Sequence, residues 1–511
     1  MGATRRYAAG VTDAAPSDGV EEVLARRFLT TDAARPDKVE SRHARGRRTA
    51  RENIADLVDD GSFVEYGRFV TAAQENRRHL ADLVVEAPAD GLIGGTASVD
   101  GLPCVVMSYD YLVMAGTQGV RGHKKSDRLI ELADRMRLPS VFFTEGGGGR
   151  PNDTDVPVVS ALDVASFALW GALDVPKIAV VSGRCFAGNA VLAGCADLRV
   201  ATPDTNLGMA GPAMISGGGL GDFIADEIGP VEDQAGNGVL DIVVDDETAA
   251  VEVVRRLLGY VTDRDRPSAS GDQNSLRTAL PDNDRQGFDI TPVVETLADD
   301  DSVTWLRTAW APELATAFVR IDGMPVGVIA NQSTHLAGAL TSDASVKAAE
   351  FFELCQRWQL PVLSLVDTPG FMVGPEAERT GLVRHASHMV TAAARLTVPL
   401  IGVVVRRGYG LGAQAMLSGS THSPLLTVAW PGAHLGPMGA EGAVRLGFAK
   451  TLDAMPEDER EAAVAAGTAA FRKHAHALNA ARLFEIDDVI DPAETRTVVA
   501  ATLRYANGRT M

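Results

Sequence analysis

The stretch PKIAVVSGRCFAGNAVLAG, from Pro176 to Gly194, returns in altered form as PLIGVVVRRGYGLGAQAMLSG, from Pro399 to Gly419. The two stretches lie a little over 220 residues apart. Each contains a proline, an apolar run typical of a buried strand, a basic residue, an aromatic residue flanked by small residues, and a helix of small residues. Internal similarity at a domain-sized spacing predicts two copies of one fold rather than a solenoid of short repeats.

The residues that lead into each stretch are also repeated. LPSVFFTEGG begins at Leu138, and LPVLSLVDTPG begins at Leu360. When the two stretches are aligned on their prolines, Arg184 corresponds to Arg407. The similarity therefore covers a strand before the turn as well as the turn itself.

The repeated element has a direct chemical meaning. An apolar strand ends, glycines turn the chain sharply, and a helix begins, so backbone N–H groups at the helix start lack an internal partner. Such donors can hold an anionic oxygen, and small residues let a ligand approach the backbone closely. The repeat therefore predicts two oxyanion holes, one in each domain.

The rest of the chain follows an alternating pattern. From Phe63 to about Tyr260, short apolar strands such as SVFFTE alternate with helical segments such as DRLIELADRMR, and the pattern starts again at MPVGVIAN. This alternation predicts an α/β fold in two tandem domains.

Four segments follow from composition. Residues 1–35 are small and polar and are predicted to be disordered. Residues 36–262 form the first domain. Residues 263–284, DRDRPSASGDQNSLRTALPDND, are polar and rich in turn formers and are predicted to be a linker. Residues 285–511 form the second domain.

Bulk properties exclude several classes of protein. A net charge of −19 argues against a general nucleic-acid binder, and no apolar run is long enough to cross a membrane. The start of the chain lacks the layout of a secretion signal. The four cysteines are scattered without a C-x-x-C pair, which fits a reducing compartment and no zinc site. We therefore predict a cytoplasmic protein without a metal.

A series of motifs, in order, resembles one family. The series includes ARGRRTARENIADLVDDGSFVEYG, VMAGTQGVRGHKKSDRLIELA, GCADLRVATPDTNLGMAGPA, LVDTPGFMVGPEAERTGLVRHAS and AWPGAHLGPMGAEGAVRLGF. From about Asp37 to its end, the chain resembles the carboxyltransferase (beta) subunits of biotin-dependent acyl-CoA carboxylases, which act on propionyl-, acetyl- or methylcrotonyl-CoA. The resemblance implies two tandem crotonase-like domains, of the ClpP/crotonase superfamily.

The resemblance also implies a reaction. Carboxybiotin, carried on a partner protein, supplies a carboxyl group to the α-carbon of an acyl-CoA, and both pass through enolates held in the two oxyanion holes. The N–H groups of Ala187 and Gly188 correspond to the hole on the acyl-CoA side. Those of Leu411 and Gly412 correspond to the hole on the biotin side. Biotin itself serves as the base, so no Ser-His-Asp arrangement is expected.

Further residues are implied in substrate binding, and some depart from the family pattern. Glu145-Gly146-Gly147-Gly148-Gly149-Arg150 replaces the usual Ser-Gly-Gly-Ala-Arg, and its glycines are expected to line an enlarged or mobile pocket. Cys185-Phe186-Ala187-Gly188-Asn189 replaces Cys-Ala-Gly-Gly-Ala. Tyr409 is expected at the substrate, as is Gln414, which stands where propionyl-type members have an acidic residue.

Three motifs have competing interpretations. Arg121, His123, Lys124 and Lys125 are predicted to grip the CoA phosphates, the alternative being a solvated helix start. The four glycines lack a following G-K-[ST], so a tight turn beside the ligand is preferred to a phosphate loop. Asp367 is interpreted as a turn or cap residue rather than a catalytic acid.

Two other functions remain open at this point. One is a crotonase-type decarboxylase or hydratase that works without biotin, against which the second elbow, RRGYGLGAQ, argues. The other is a noncatalytic scaffold subunit of a carboxylase complex. No Met-Lys-Met context for biotin attachment occurs in the sequence, so the biotin carboxylase and the biotin carrier are expected on partner chains. The resemblance further implies a homo-oligomer, either a dimer or a hexamer.

Overall fold

The structure, a computed structural model, describes residues 18–155, 162–262, 269–283 and 286–506. The first half of the described chain contains one large sheet and a separate pair of short strands. Its strands are β1 Val64–Glu65, β2 Leu92–Val99, β3 Leu102–Tyr109, β4 Ser140–Phe143, β5 Lys177–Val181, β6 Arg184–Phe186, β7 Leu198–Ala201, β8 Asn206–Gly208 and β9 Ile242–Val243. The large sheet has the order β1-β2-β3-β4-β5-β7-β9, and β6 pairs with β8.

The second half repeats this arrangement. Its strands are β10 Thr304–Leu306, β11 Leu314–Ile321, β12 Met324–Asn331, β13 Val362–Thr368, β14 Leu400–Tyr409, β15 Leu426–Ala429, β16 His434–Gly436 and β17 Asp488–Val489. The sheet has the order β10-β11-β12-β13-β14-β15-β17, with β16 beside the end of β14. The strand that carries each elbow therefore takes the same place in both sheets, and the predicted internal repeat is confirmed as a repeat of structure.

Each sheet contains an antiparallel hairpin closed by an Asp-Gly turn. Asp100 and Gly101 join β2 to β3, and Asp322 and Gly323 join β11 to β12. All four residues have a positive φ, between 49° and 80°. Two consecutive left-handed residues are what a type I′ hairpin turn requires, and Asp-Gly is a favoured pair for it.

Beyond the hairpins the central strands run parallel. β3, β4, β5 and β7 are parallel neighbours in the first sheet, as are β12, β13, β14 and β15 in the second. Every residue of β4, β5 and β13 is buried, because helices cover parallel strands on both faces. These buried parallel strands and the helices between them confirm the predicted α/β class.

Helices connect and cover the strands. In the first half they are α1 Asp18–Phe28, α2 Pro36–His43, α3 Ala50–Leu57, α4 Leu80–Glu86, α5 Val120–Met136, α6 Ser166–Ala172, α7 Gly188–Gly194, α8 Pro212–Gly217, α9 Val231–Gly236 and α10 Glu247–Thr262. In the second half they are α11 Thr291–Leu297, α12 Ser342–Trp358, α13 Pro375–Arg379, α14 Leu382–Ala394, α15 Gly410–Met416, α16 Ala440–Gly447, α17 Ala449–Asp453, α18 Glu457–Ala475, α19 Ala477–Arg482 and α20 Thr495–Ala506.

The N-terminal segment differs from the prediction. Residues 1–17 lie outside the described residues, but α1 is helical where disorder was predicted up to residue 35. The helix places Val20, Val23, Leu24 and Phe28 on one face, and this spacing is that of an amphipathic helix. The small, polar composition of the first residues concealed this periodicity.

The predicted linker also differs where it is described. Residues 263–268 and 284 lie outside the described residues, but Gln273–Thr278 form a short 3-10 helix. Leu276 is buried in the core of the second domain, and Arg277 pairs with Asp491 at 2.6 Å. The described part of this segment therefore packs against the second domain, because it carries an apolar anchor that its polar composition hides.

The two halves share a continuous apolar core. Side chains of the first sheet, such as Ile178, belong to the same buried cluster as Phe318 and Trp358 of the second half. The indole N–H of Trp358 donates to Asp197 at 3.0 Å. The Tyr260 ring of α10 lies 5.5 Å from the Phe318 ring, centroid to centroid. These contacts set the position of one domain against the other within the chain.

Candidate active site

The first elbow follows the end of β5. Gly183 turns the chain with φ +65°, and a Cβ there would lie 1.6 Å from a guanidinium nitrogen of Arg47. β6 then leads to Ala187, which has a φ of 50° and ψ of −122°, and α7 begins at Gly188. Only glycine fits at the first of these turns, because the Arg47 side chain fills the space.

The two backbone N–H groups predicted as donors at the first elbow differ in whether the fold already occupies them. The Ala187 N–H donates to the Gly208 carbonyl at 3.0 Å and so extends the pairing of β6 with β8. The Gly188 N–H has no acceptor among the described residues. Both residues are half-buried. In this structure, therefore, only one of the two N–H groups is open to a ligand.

The glycine segment lies directly against this elbow. Gly146 accepts from Phe186 N–H at 2.9 Å and donates to the Arg184 carbonyl at 2.8 Å. A Cβ on Gly146 would lie 2.2 Å from the Gly116 carbonyl oxygen, and one on Gly148 would lie 2.7 Å from the Ala187 Cβ. The glycines allow two backbone segments to touch, and the segment is hydrogen-bonded to the elbow.

Asn189 joins the two segments in which the sequence departs from the pattern of the family that it resembles. Its side chain is fully buried. The amide oxygen accepts from Gly148 N–H at 2.9 Å, and the amide nitrogen donates to the Thr144 carbonyl at 3.2 Å. The asparagine of the FAGNA segment thus holds the glycines of the EGGGGR segment, and each departure accounts for the other.

The ends of the glycine segment are fixed by buried ion pairs. Glu145 accepts from Arg42 and, at 2.9 Å, from Arg47. Arg150 pairs with Asp90, and its side chain is almost fully buried. Ion pairs therefore hold both ends of the segment. The sequence predicts an enlarged or mobile pocket here and does not predict these ion pairs.

The second elbow repeats the geometry of the first. β14 ends at Tyr409, Gly410 has a φ of +62°, and α15 begins. The N–H groups of Leu411 and Gly412 have no acceptor among the described residues. A Cβ on Gly412 would lie 2.6 Å from the Gly370 carbonyl carbon. Both predicted donors of this elbow are open, and Gly412 packs against the Pro-Gly turn after β13.

Asp367 holds two arginines beside the second elbow. Its carboxylate accepts from Arg406 at 2.8 Å and from Arg407 at 2.8 Å. Burial alone would raise the pKa of Asp367, but the hydrogen bonds from Arg407 and Arg406 outweigh it and hold the pKa below its ordinary value. This carboxylate is ionised and fully engaged, so its role is to position the arginines.

Tyr409 and Gln414 lie on different sides of the second elbow. Tyr409 lines a cavity of about 330 Å³ together with Arg407 and His434. Gln414 is exposed to solvent on α15, and its carbonyl accepts from Leu417 N–H at 3.0 Å. Tyr409 therefore borders the enclosed space, and the Gln414 side chain faces outward.

The basic cluster at the start of α5 is only partly available. Arg121 pairs with Glu75 at 2.7 Å, and Lys125 is buried, donating to the Gly67 carbonyl at 3.3 Å. Burial lowers the pKa of Lys125 to about 8. Lys124 is exposed. Of the cations predicted to grip phosphate, Lys124 is the one that faces solvent without a charged partner in the described part of the chain.

A second basic cluster was not assigned from the sequence. A cavity of about 420 Å³ next to the first elbow is lined mostly by polar and cationic side chains: Lys38, Ser41, Arg42, Arg45, Arg47, Tyr111, Leu112, Arg184 and Asp204. The signal in the sequence was the run SRHARGRR, which the fold brings beside Arg184.

His123 belongs to a polar group that the sequence did not reveal. Its Nδ1 lies 3.0 Å from the Ser166 hydroxyl, which also bonds to the Asp127 carboxylate. Ser166 is fully buried, and burial lowers the pKa of His123. The Ser166 hydroxyl lies between His123 and Asp127 and is not exposed. It is therefore not placed to attack a substrate as a nucleophile.

Comparison with known proteins gives a consistent result. Residues 41–511 match the family model described as the carboxyl transferase domain. The chain is 31% identical over 510 residues to the methylmalonyl-CoA carboxyltransferase 12S subunit of Propionibacterium freudenreichii subsp. shermanii, covering 96% of this chain and 94% of that protein. It is 30% identical to the beta4 subunit of a biotin-dependent long-chain acyl-CoA carboxylase of Mycobacterium tuberculosis, covering 95% and 94%.

Solved structures agree with these relatives. A single-chain, multi-domain long-chain acyl-CoA carboxylase matches with a TM-score of 0.90 and 48% identity over 96% of this chain. This chain spans 49% of that larger protein. The transcarboxylase 12S hexamer, solved with methylmalonyl-CoA and methylmalonic acid, matches with a TM-score of 0.86 and 29% identity over 98% of each chain.

Proposed function

The chain belongs to the carboxyl transferase domain family, and from that premise we propose that it moves a carboxyl group from carboxybiotin to the α-carbon of an acyl-CoA. It is an enzyme, a carboxyltransferase of the acyl-CoA carboxylases, built from two crotonase-like domains. The main support for the proposed transfer from carboxybiotin is the pair of equivalent elbows. Each elbow has at least one backbone N–H group that donates to no described residue. A reaction with charge developing on two substrates needs donors at two places.

The first elbow is proposed to hold the thioester oxygen of the acyl-CoA. Ala187 and Gly188 are the proposed donors, and the Gly188 N–H is open while that of Ala187 is shared with Gly208. Gly146, Gly147 and Gly148 present backbone beside the thioester. One hole donor typically contributes about 2.7–4 kcal/mol to the transition state, so the Gly188 donor alone would have a measurable effect.

The second elbow suits an acceptor such as the ureido oxygen of biotin. Leu411 and Gly412 offer open N–H groups, and the neighbouring cavity of about 330 Å³ is also lined by Thr468, whose buried hydroxyl has no partner among the described residues. Carboxylated biotin, delivered on a partner protein, would supply the carboxyl group. Leu411, Gly412 and Tyr409 would orient the biotin. The Gln414 side chain is exposed, so it would contact the substrate only from the solvent side of α15.

The phosphates of CoA need cations near the first elbow. Arg121 and Lys124 are proposed for this role, with Lys124 the stronger of the two because Arg121 already pairs with Glu75. The cavity beside Arg184 adds a second candidate, since Arg45 lines it and forms no ion pair with a described residue. Either position would neutralise charge without displacing a buried pair.

Partners and location follow from the same proposal. A biotin carboxylase and a biotin carrier are the proposed partners, and a homo-oligomer, dimeric or hexameric, is proposed by analogy with the hexameric 12S protein. No helix among the described residues has the length and apolar character of a membrane span. A cytoplasmic site of action stays a prediction.

The proposal is tested by carboxyl transfer in the reverse direction. The purified protein is incubated with free biotin and malonyl-type CoA esters, from malonyl to long-chain substituted, and loss of the carboxyl group is followed. Turnover that depends on biotin supports the proposal and identifies the preferred acyl group. Turnover without biotin indicates a crotonase-type decarboxylase. No turnover with any ester, also when the carboxylase partner is added, would contradict the proposed function.

A matched pair of variants tests the first hole. Gly188→Ala places a Cβ 2.3 Å from the Gln118 amide oxygen, whereas a Cβ on Gly194, on the same helix, meets nothing within 4 Å. We expect Gly188→Ala to lose most activity and Gly194→Ala to keep it. Equal activity in the two folded variants would remove the first elbow from the mechanism.

A further inference from the structure

Gln118 carries a buried amide nitrogen, Nε2, that has no hydrogen-bond partner among the described residues. The residue is 4% exposed. The Tyr109 hydroxyl approaches the same carboxamide, but no hydrogen bond to Nε2 has acceptable geometry. A buried donor left without an acceptor is unfavourable and rare in native structures, so it needs an explanation.

The second domain shows that the fold does not need this amide. Gln118 follows the turn at Met114–Gly116 and bridges Gly149, and Leu340 follows the equivalent turn at Leu336–Gly338 and bridges Phe371. Leu340 is fully buried. The same backbone position therefore accepts a leucine in one copy of the fold. In the other copy a glutamine takes the place and brings a polar group that packing alone would not favour.

The carboxamide of Gln118 lies against the first elbow. A Cβ on Gly188 would be 2.3 Å from the Gln118 amide oxygen and 3.0 Å from the Phe167 ring. The Gly188 N–H is open, whereas the Ala187 N–H is taken by Gly208. The backbone thus offers one of the two donors expected there, and an unused side-chain donor lies next to it.

We propose that Gln118 is the second donor of the acyl-CoA hole and that its Nε2 donates to the thioester oxygen beside the Gly188 N–H. The inference rests on the proposed carboxyl transfer. When the α-carbon loses its proton to the base of that reaction, the C–H electron pair forms a C=C bond and the carbonyl π pair moves to the thioester oxygen. Gln118 neither gives nor takes a proton and stabilises that charge. Rotation about its last side-chain torsion, which has broad minima, brings Nε2 to the oxygen.

The decisive variant is Gln118→Met, which keeps the length of the side chain and removes the donor. Its control is Ser364→Ala, which also removes a buried polar group without a partner, the Ser364 hydroxyl, but lies in β13 of the second domain. We expect kcat of Gln118→Met to fall by about 10²–10³-fold, the usual loss for one hole donor, with a much smaller rise in KM and no loss of thermal stability. Ser364→Ala should keep wild-type kcat.

Two outcomes overturn the inference, and they are distinguishable. If the folded Gln118→Met protein keeps wild-type kcat in the biotin-dependent reverse assay, the carboxyltransferase stands and the role of Gln118 falls. If the wild-type protein itself shows no turnover with its partner present, the proposed function fails and the inference fails with it.

A binding measurement keeps the test independent of turnover, and it uses Gln118→Leu if the methionine variant does not fold. Two probes are compared. One is the acyl-CoA that forms when the malonyl-type CoA ester with the fastest turnover loses its carboxyl group. The other is the CoA thioether with the same acyl carbon skeleton, which lacks the carbonyl oxygen. Wild type should prefer the thioester, and the variant should lose most of that preference. An unchanged ratio of the two dissociation constants would contradict the hydrogen bond.

Discussion

At the scale of single residues, two buried carboxylates close the strands that precede the elbows. Glu145 follows β4 and pairs with Arg42 and Arg47. Asp367 is the penultimate residue of β13 and pairs with Arg406 and Arg407. The acid holds the same place in both copies, but its arginines come from the N-terminal segment in one and from the elbow strand in the other. A buried carboxylate needs such partners because isolated burial of its charge is very unfavourable.

Asp367→Asn should destabilise the protein by about 3–5 kcal/mol, since the buried Arg406 and the half-buried Arg407 would lose their counter-charge. The lowered pKa of Asp367 also sets a pH dependence. Its stabilisation is present above the ordinary aspartate pKa of about 3.9 and is lost as the pH falls through the lowered value. Denaturant unfolding at neutral and acid pH should therefore show a smaller acid effect in the variant.

The control for this prediction is Glu461→Gln, which breaks a surface pair with Arg445 in which the Glu461 side chain is 65% exposed. Surface pairs contribute about 0–1 kcal/mol, so this variant should resemble wild type. If Asp367→Asn is equally mild, the arginines do not depend on the carboxylate.

At the scale of elements, each elbow is completed by a segment from another strand. In the first domain, the Gly148 N–H of the glycine segment donates to the Asn189 side chain on α7. In the second domain, the Pro-Gly turn packs directly against Gly412 on α15. A side-chain amide makes the contact in the first domain, and direct backbone packing makes it in the second. The same fold thus allows different side-chain solutions where two turns meet.

Gly148→Ala and Gly149→Ala form a matched pair for this contact. Gly148 has a φ of +86°, and its Cβ would lie 2.7 Å from the Ala187 Cβ, whereas a Cβ on Gly149 meets nothing within 4 Å. We expect Gly148→Ala to lower the melting temperature and the transfer activity, because both the conformation and the space exclude a side chain. Gly149→Ala should be close to wild type. Similar melting temperatures for the two variants would contradict the packing described.

At the scale of the whole molecule, apolar side chains are exposed beside both elbows. In the first domain these include Met209, Met214 and Leu220, and in the second they include Leu411, Leu446 and Phe448. Clusters of exposed apolar residues commonly mark interaction surfaces. We therefore predict that a second copy of the chain covers these two patches.

The prediction is a homo-oligomer in solution that Leu446→Glu and Phe448→Glu together weaken. Mass measured by light scattering after size-exclusion chromatography should fall in the double variant, and carboxyl transfer should fall with it. Tyr505→Ser is the control, since Tyr505 is also exposed but lies on α20. A wild-type protein that is monomeric and fully active would contradict this prediction.

The sequence alone determined the repeat, the α/β class and the two elbows. These features depend on local signals: apolar runs long enough for buried strands, prolines and glycines at fixed places, and small residues at the start of a helix. They are readable because neighbours along the chain decide them. The resemblance to the carboxyltransferases, later confirmed by the family match, rested on the same motifs in order.

Only the tertiary structure decided which groups at the first elbow are free and which are occupied. Three contacts at this elbow could not be predicted. The Ala187 N–H donates to Gly208, Asn189 holds Gly148, and the Gln118 carboxamide lies against Gly188 with its Nε2 unpaired among the described residues. Each contact joins residues separated by 20 or more positions. The type of a side chain states what it can bond to, and only the packing of distant segments brings its partner within reach.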